Sequence, residues 1–369
     1  MKRREFISAL SVLGGAALTG CAGTSTGIRE SNARVIDVHT HWYPPEYVSL
    51  LEKEGGANGA KMGRDKNGNS VVLSVPGSNQ PSNLRRNMID LDVILQEMDK
   101  RGIDVNVLSL TNPMVSWAPP AFGLRLSQAW NDACAAAHLK HPQRFVGTVM
   151  LPMQEPKLAV QELQRAAKLP GMHGVFMAES FNGKNLHDKS YWPVYEQCEA
   201  LGLPILLHAL YALGTERLLE FRMLNLLGSP FEGGVAGTVL MFGGVLDAFP
   251  KLDFMLPHAG DTFPWLIGRA DQGYRIGVPE LQGIKQRPLE YLRRFYYDSI
   301  SLNTQVMTYL IGMVGADRIM LGSDYDQISS EKTPVQFVSS LPGLSIRERN
   351  MILGGNAERF LKLPPRANT

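Results

Sequence analysis

His39 and His41 stand one residue apart in "RVIDVHTHWYPPEY" (residues 34–47), at the end of an apolar run. Alternation along a strand sends residues i and i+2 to one face, so both imidazoles leave a strand's end in the same direction. Pro44 and Pro45 stop any continuation. His208 in "PILLHAL", His258 in "DFMLPHA" and Asp324 in "RIMLGSD" occupy the same kind of position, each at the close of its own apolar run. Neutral imidazole and carboxylate together suit zinc and related divalent ions, and a catalytic site keeps one coordination position open for water or substrate. His39, His41, His208 and Asp324 supply three nitrogens and one oxygen, which makes them the candidate metal shell.

These residues act together only if the fold brings their strand ends to one place. Eight apolar runs qualify as strands: 35–39, 105–110, 145–151, 174–178, 204–210, 253–259, 295–301 and 318–324. Continuous apolar runs suit strands buried on both faces, as in a parallel sheet covered by helices. Helical spacing fills the intervals. In "DLDVILQEMDKRG", Leu91, Ile94, Leu95 and Met98 recur at i, i+3, i+4 and i+7, and Gly102 is a natural stop. Comparable segments cover 123–140, 156–168, 190–202, 235–248, 262–275 and 303–315. Eight β–α units predict a (β/α)8 TIM barrel, with an open doubly wound sheet as the weaker alternative. Active sites of such barrels lie at the C-terminal ends of the strands, where all five residues fall. Residues 52–84, rich in Gly, Asn and Ser, form a small insertion after strand 1, with "KNGN" a hairpin turn. An insertion there lies over the mouth of the barrel, as a lid or a loop.

The residues also resemble a known family, the amidohydrolase superfamily, in the "amidohydrolase 2" branch related to aminocarboxymuconate-semialdehyde decarboxylase. "IDVHTHWYPPEY" is similar to its first-strand motif, "FPKLDFMLPHAGDTFPWLIGRAD" to the segment around its strand-six histidine, "DRIMLGSDYD" to its strand-eight aspartate and "GNAERFL" to its closing helix. The resemblance spans about residues 34–363. It implies one divalent metal, zinc with manganese as the alternative, on His39, His41, His208 and Asp324. It also implies that His258 is the acid–base residue outside the metal shell, with Asp324 sharing proton transfer. Binuclear relatives carry a carboxylated lysine on strand four. "HGVFMAES" has none, and its His173 and Glu179 are expected to be supporting residues. In the decarboxylase an arginine of the helix beginning near Asp90 grips the substrate carboxylate. Here Ile94 and Gln96 occupy that region, with Arg85 and Arg86 just upstream. Asp326 stands where relatives usually have proline. The expected function is non-oxidative decarboxylation of a small carboxylic acid. The rivals are a metal-dependent hydrolase of a lactone, ester or amide, and a binding lipoprotein on a degenerate barrel. The intact ligand set argues against the last of these.

The 369-residue chain carries a formal charge of +2 with no clustered basic run, which excludes a nucleic-acid footprint. "MKRREFISALSVLGGAALTGCAG" reads as an export signal, with Arg3 and Arg4 of twin-arginine type. "LTGC" resembles a lipobox, so residues 1–21 are the expected signal, Cys21 the lipid anchor to a membrane, 22–33 a tether and 34–369 the barrel. The expected location is periplasmic or cell-surface. Cys134 and Cys198 are the only other cysteines and sit in helical segments, as buried thiols rather than a disulfide framework. His138, His141 and His187 read as helix-end or loop residues. The family resemblance adds the expectation of a homodimer.

Overall fold

The computed structural model describes residues 33–364 apart from 67, 69, 79, 80, 211 and 328. Arg3, Arg4, the lipobox Cys21 and residues 22–32 of the tether lie outside the described residues. All eight expected strands form: β1 (Ile36–His41), β2 (Val105–Ser109), β3 (Phe145–Met150), β4 (Met172–Ala178), β5 (Ile205–His208), β6 (Phe254–Leu256), β7 (Phe295–Asp298) and β8 (Ile319–Met320). They lie in chain order in one sheet, and each neighbouring pair is parallel. Backbone bonds join the two edges. Val38 N–H donates to the Leu321 carbonyl at 2.9 Å, Asp324 N–H to His39 at 2.9 Å and His41 N–H to Tyr325 at 2.7 Å. The sheet is therefore a (β/α)8 barrel and not an open doubly wound sheet. Closure has a chemical consequence, since it sets Asp324 from the end of the chain's last strand beside His39 and His41 from the first.

Every residue of β1, β2 and β3 is buried, as a parallel sheet under helices requires. Helix Pro156–Ala166 buries Ala159, Leu163 and Ala166, spaced four and three apart. Asp90 caps helix Leu91–Arg101 by accepting from Asp92 N–H at 3.0 Å, and Gly102 ends it at φ 68°. Ile94, on the buried face of this helix, belongs to the core. No described helix is long and apolar enough to cross a membrane.

One helix differs from the sequence expectation. The segment read as 235–248 begins at Ser229, forms Ser229–Phe242, breaks at Gly244 (φ 73°) and resumes as Val245–Ala248. The glycine pair in "SPFEGG" argues for a loop, yet its purpose is close approach. A Cβ on Gly233 would collide with the Asp261 carboxylate, and one on Gly234 with the Thr262 hydroxyl. The glycines let this helix pack directly on the loop that carries His258.

The insertion folds as a small antiparallel sheet of strands Lys61–Arg64, Ser70–Ser74 and Ser82–Arg85. The expected turn is present, with Gly68 at φ 72° and its N–H bonded to the Asp65 carbonyl at 3.0 Å. Leu73 and Leu84 are buried and fasten the sheet to the barrel. Its last strand forms part of the wall of the cavity over the strand ends.

Candidate functional site

Each imidazole of the expected shell is oriented by a partner at its Nδ1 atom. His39 Nδ1 lies 2.7 Å from the Asp298 carboxylate at the end of β7. His41 Nδ1 lies 3.1 Å from Ser109 Oγ at the end of β2. The Ser109 hydroxyl donates its hydrogen to the Thr40 carbonyl at 2.8 Å, so it accepts from the ring. His208 Nδ1 lies 2.9 Å from the Ala209 carbonyl. All three partners accept, so the geometry assigns a proton to each Nδ1 and a lone pair to each Nε2. The Nε2 atom of His39 is buried and has no hydrogen-bond partner.

His39, His41, His208 and Asp324 are all buried and each offers a ligand atom within 4.8 Å of the others. Among the described residues they are the one such grouping of three or more His, Cys, Asp or Glu side chains. Asp324 Oδ1 lies 3.0 Å from His41 Nε2 and 3.4 Å from His39 Nε2. Burial draws the His41 pKa down to about 4, against the pull of the Asp324 carboxylate beside its Nε2. Burial, with the neighbouring His41 and His39, draws His208 well below its ordinary range. Burial works to raise Asp324, but the neighbouring His41, His39 and His258 rings keep it low and ionised. Two rings held neutral, a carboxylate held ionised, and three lone pairs aimed inward make a donor set that fits one divalent cation.

His258 stands beside this group and outside it, its ring 5.2 Å from that of His39 and 5.6 Å from that of His208. Its Nδ1 lies 3.1 Å from Asp261 Oδ1. Burial disfavours the charged ring, but Asp261, Asp324 and Asp298 together lift its pKa to about 10. A cation bound nearby offsets part of that lift. His258, Ala259, Asp261 and Asp324 adopt left-handed backbone at φ 49°, 57°, 50° and 56°. Such conformations cost on the order of 1–3 kcal/mol each and cluster where function requires an aimed side chain.

The orienting residues escape the motif reading. Asp298 is fully buried, and its Oδ1 accepts from Ala259 N–H at 2.9 Å and Ile300 N–H at 3.0 Å while Oδ2 faces His39. Asp298 lies in the middle of the run 295–301, and only the observed strand Phe295–Asp298 places it at a strand end. Asp261 and Ser109 carry no signal either, because their roles arise only from the packing of separate segments. His173 turns away and bonds the Leu361 carbonyl at 3.1 Å. Glu179 is buried close to His258 and Asp261, and neither carboxylate oxygen has a partner among the described residues. Burial and the Asp261 charge raise its pKa well above the usual range.

A cavity of about 240 Å³ opens above His208, His258 and Asp324. Asn83 and Arg85 from the insertion strand form one wall, with Arg222 and Asn225 opposite. Arg85 pairs with Asp326, bonding its carbonyl and lying 3.3 Å from its carboxylate. Arg86 does not line this cavity and pairs with Asp90.

The sequence model of the amidohydrolase family matches residues 36–363. The chain belongs to this family. A similar amidohydrolase-type chain is the 2-amino-3-carboxymuconate-6-semialdehyde decarboxylase of Dictyostelium discoideum, 33% identical over 89% of this chain and 92% of that protein. Among solved structures, the apo IDCase of Metarhizium anisopliae has a TM-score of 0.78 at 26% identity, covering 90% of this chain and 98% of its own. A dihydroxybenzoic acid decarboxylase from a Polaromonas species, with bound manganese and 2-nitroresorcinol, has a TM-score of 0.72 at 26% identity, covering 90% and 97%. The amidohydrolase barrel is thus shared with named decarboxylases along nearly its whole length.

Proposed function

We propose that the protein is a metal-dependent, non-oxidative decarboxylase of a small carboxylic acid. The carrying observation is the placement of a protonatable His258–Asp261 pair beside a three-histidine, one-aspartate centre, in a chain whose relatives are named decarboxylases. Decarboxylation needs a proton delivered to the carbon that loses carbon dioxide. A paired, charged imidazole at the edge of the substrate cavity meets that need.

His39, His41, His208 and Asp324 would hold the metal, which supplies Lewis-acid polarisation of substrate oxygens. Asp298, Ser109 and the Ala209 carbonyl fix the three rings. His258 moves the proton, and Asp261 orients its ring and stabilises its charge. Arg85 supplies a cation at the mouth, where the region of Ile94 and Gln96 carries no arginine. The donor set supports zinc, while manganese in a relative makes that ion the alternative.

The deciding experiment supplies the metal-loaded enzyme with candidate aromatic acids in deuterated water. The expected result is release of carbon dioxide and one deuterium at the carbon that lost it. Transfer of oxygen from labelled water into a new carboxylate, without carbon dioxide, would replace this reading with a hydrolase.

For location we propose twin-arginine export and lipidation at Cys21, supported by Arg3, Arg4 and the "LTGC" sequence. For assembly we propose a homodimer. Leu219, Phe221 and Leu226, exposed on the segment between β5 and helix Ser229–Phe242, and Phe231, exposed in that helix's first turn, offer it an apolar surface that sedimentation would test.

A further inference from the structure

A second and larger cavity, about 690 Å³, lies outside the barrel wall, against about 240 Å³ for the catalytic one. It is bounded by the insertion sheet, the start of helix Leu91–Arg101 and the last turns of helix Pro120–Lys140. Its lining includes the Trp42 indole, Val71 and Leu84, which pair across the insertion sheet, and the small Ala133, Ala136 and Ala137. Cavities of this volume suit small molecules, and an indole beside a surface of alanines suits a planar ring.

The rim decides the charge of the occupant. Arg86 lies 3.3 Å from Asp90 and Lys140 lies 3.9 Å from Asp92, while Arg64 and Glu46 add one charge of each sign. Three cations and three carboxylates leave no net charge, and two of each are already paired. An anion entering here meets as many carboxylates as cations. A neutral ring does not have to compete with these pairs.

The insertion strand links the two cavities. Along Ser82–Arg85 and into Arg86, Ser82, Asn83 and Arg85 line the catalytic cavity, whereas Leu84 and Arg86 line the outer one. From Asn83 to Arg86 successive side chains alternate between the two cavities, which makes this end of the strand a partition between them. Trp42, on the outer wall, follows His41 directly and donates its indole N–H to the Ile89 carbonyl at 2.9 Å.

We propose that the outer cavity is a second ligand site for a neutral planar aromatic, and that its occupant acts on the catalytic cavity through the partition strand. A decarboxylated aromatic product belongs to this class. That last identification rests on the function proposed above, whereas the site does not.

The test uses metal-loaded enzyme, 2-naphthol as the uncharged probe and 2-naphthoate as its anionic counterpart. Ala136 is exposed on its helix, so Ala136→Phe fills the cavity from its open side without entering the core. Calorimetry should show 2-naphthol binding with Kd below about 1 mM. Ala136→Phe should weaken that binding about tenfold or more, while Ala136→Ser should bind as wild type. Metal content and circular dichroism of both variants should match wild type, which separates loss of the site from loss of the fold. In wild type, 2-naphthol should shift the substrate KM about fivefold or more, and Ala136→Phe should be insensitive. Equal 2-naphthol affinity in Ala136→Phe overturns the site. A filling-sensitive component as strong for 2-naphthoate overturns the neutral ligand. Purely competitive inhibition that survives Ala136→Phe overturns the coupling. If carbon dioxide release fails while binding behaves as expected, the decarboxylase reading falls and the second site stands.

Discussion

Replacing Asp298 with asparagine tests whether the ring partners tune the metal centre. Oδ1 of Asp298 accepts two backbone N–H groups, at 2.9 Å and 3.0 Å, and Oδ2 accepts the Nδ1 proton of His39 at 2.7 Å. An asparagine keeps both backbone bonds only by placing its carbonyl oxygen there, which turns its NH2 toward His39. The ring must then accept at Nδ1 and carry its proton on Nε2, the atom proposed to bind metal. The alternative orientation restores the tautomer but leaves two buried N–H groups facing an amide, at about 1–3 kcal/mol each. Either course penalises the metal-binding form. Loss of a comparable partner typically costs 10–100-fold in metal affinity, which is about 1.4–2.8 kcal/mol. Competition against a chelator, with circular dichroism to confirm the fold, reads this directly. Nitrogen-15 spectra of His39 in the metal-free variant should show the proton moved to Nε2. An affinity within twofold of wild type, with the wild-type tautomer, would refute the reasoning.

His258→Asn should keep the metal and lose about 10²–10⁴-fold in turnover, as expected for a proton-transfer group. Loss of metal equal to that of a ligand variant would instead move His258 into the shell. Alanine at His39, His41, His208 or Asp324 should lower metal content and activity together, and two ions per wild-type chain by elemental analysis would contradict the single-metal assignment. Gly233→Ala should destabilise the fold by about 1–3 kcal/mol in urea melts, because its Cβ must displace Asp261 or the helix. It should also lower turnover more than metal content. Cys21→Ala should abolish incorporation of labelled fatty acid, and Arg3→Lys with Arg4→Lys should block export.

Much of the barrel is legible because it rests on patterns with a fixed period. Eight continuous apolar runs alternate with helical spacing, and Gly102 ends its helix as its sequence position suggests. The strand ends are less legible, because regular pairing stops earlier than hydrophobicity does. The run 318–324 pairs regularly only at Ile319–Met320, since the next residues bond instead to β1 and to the Ile352 carbonyl. The four proposed ligands, which the fold brings together, stand out in the sequence because each lies near the close of an apolar run. Arg85 is ambiguous in sequence, since its neighbour Arg86 has the same chemistry. Alternation along the insertion strand, visible only once its register is known, sends the two into different cavities.

What sequence conceals most is the cost that the site imposes on the fold. The site combines left-handed backbone at His258, Asp261 and Asp324 with buried polar atoms, at His39 Nε2, Asp261 Oδ2 and both oxygens of Glu179, that have no hydrogen-bond partner among the described residues. The backbone alone opposes folding by about 1–3 kcal/mol per residue. A scaffold can hold them only where surrounding contacts leave no cheaper arrangement. Barrel closure supplies those contacts, because Asp324 is fixed by its backbone bond to His39. Asp37 reinforces it, accepting from His39 N–H at 3.1 Å and from Ser323 N–H at 3.0 Å. Glycines 233 and 234 supply the rest by letting a helix press on the His258 loop. The histidines are therefore aimed by the seam of the barrel, and that seam joins residues nearly 300 positions apart, for example Asp37 and Ser323, separated by 286. No local sequence window contains that information, which is why the proposed ligands can be picked out from the chain while their aim cannot.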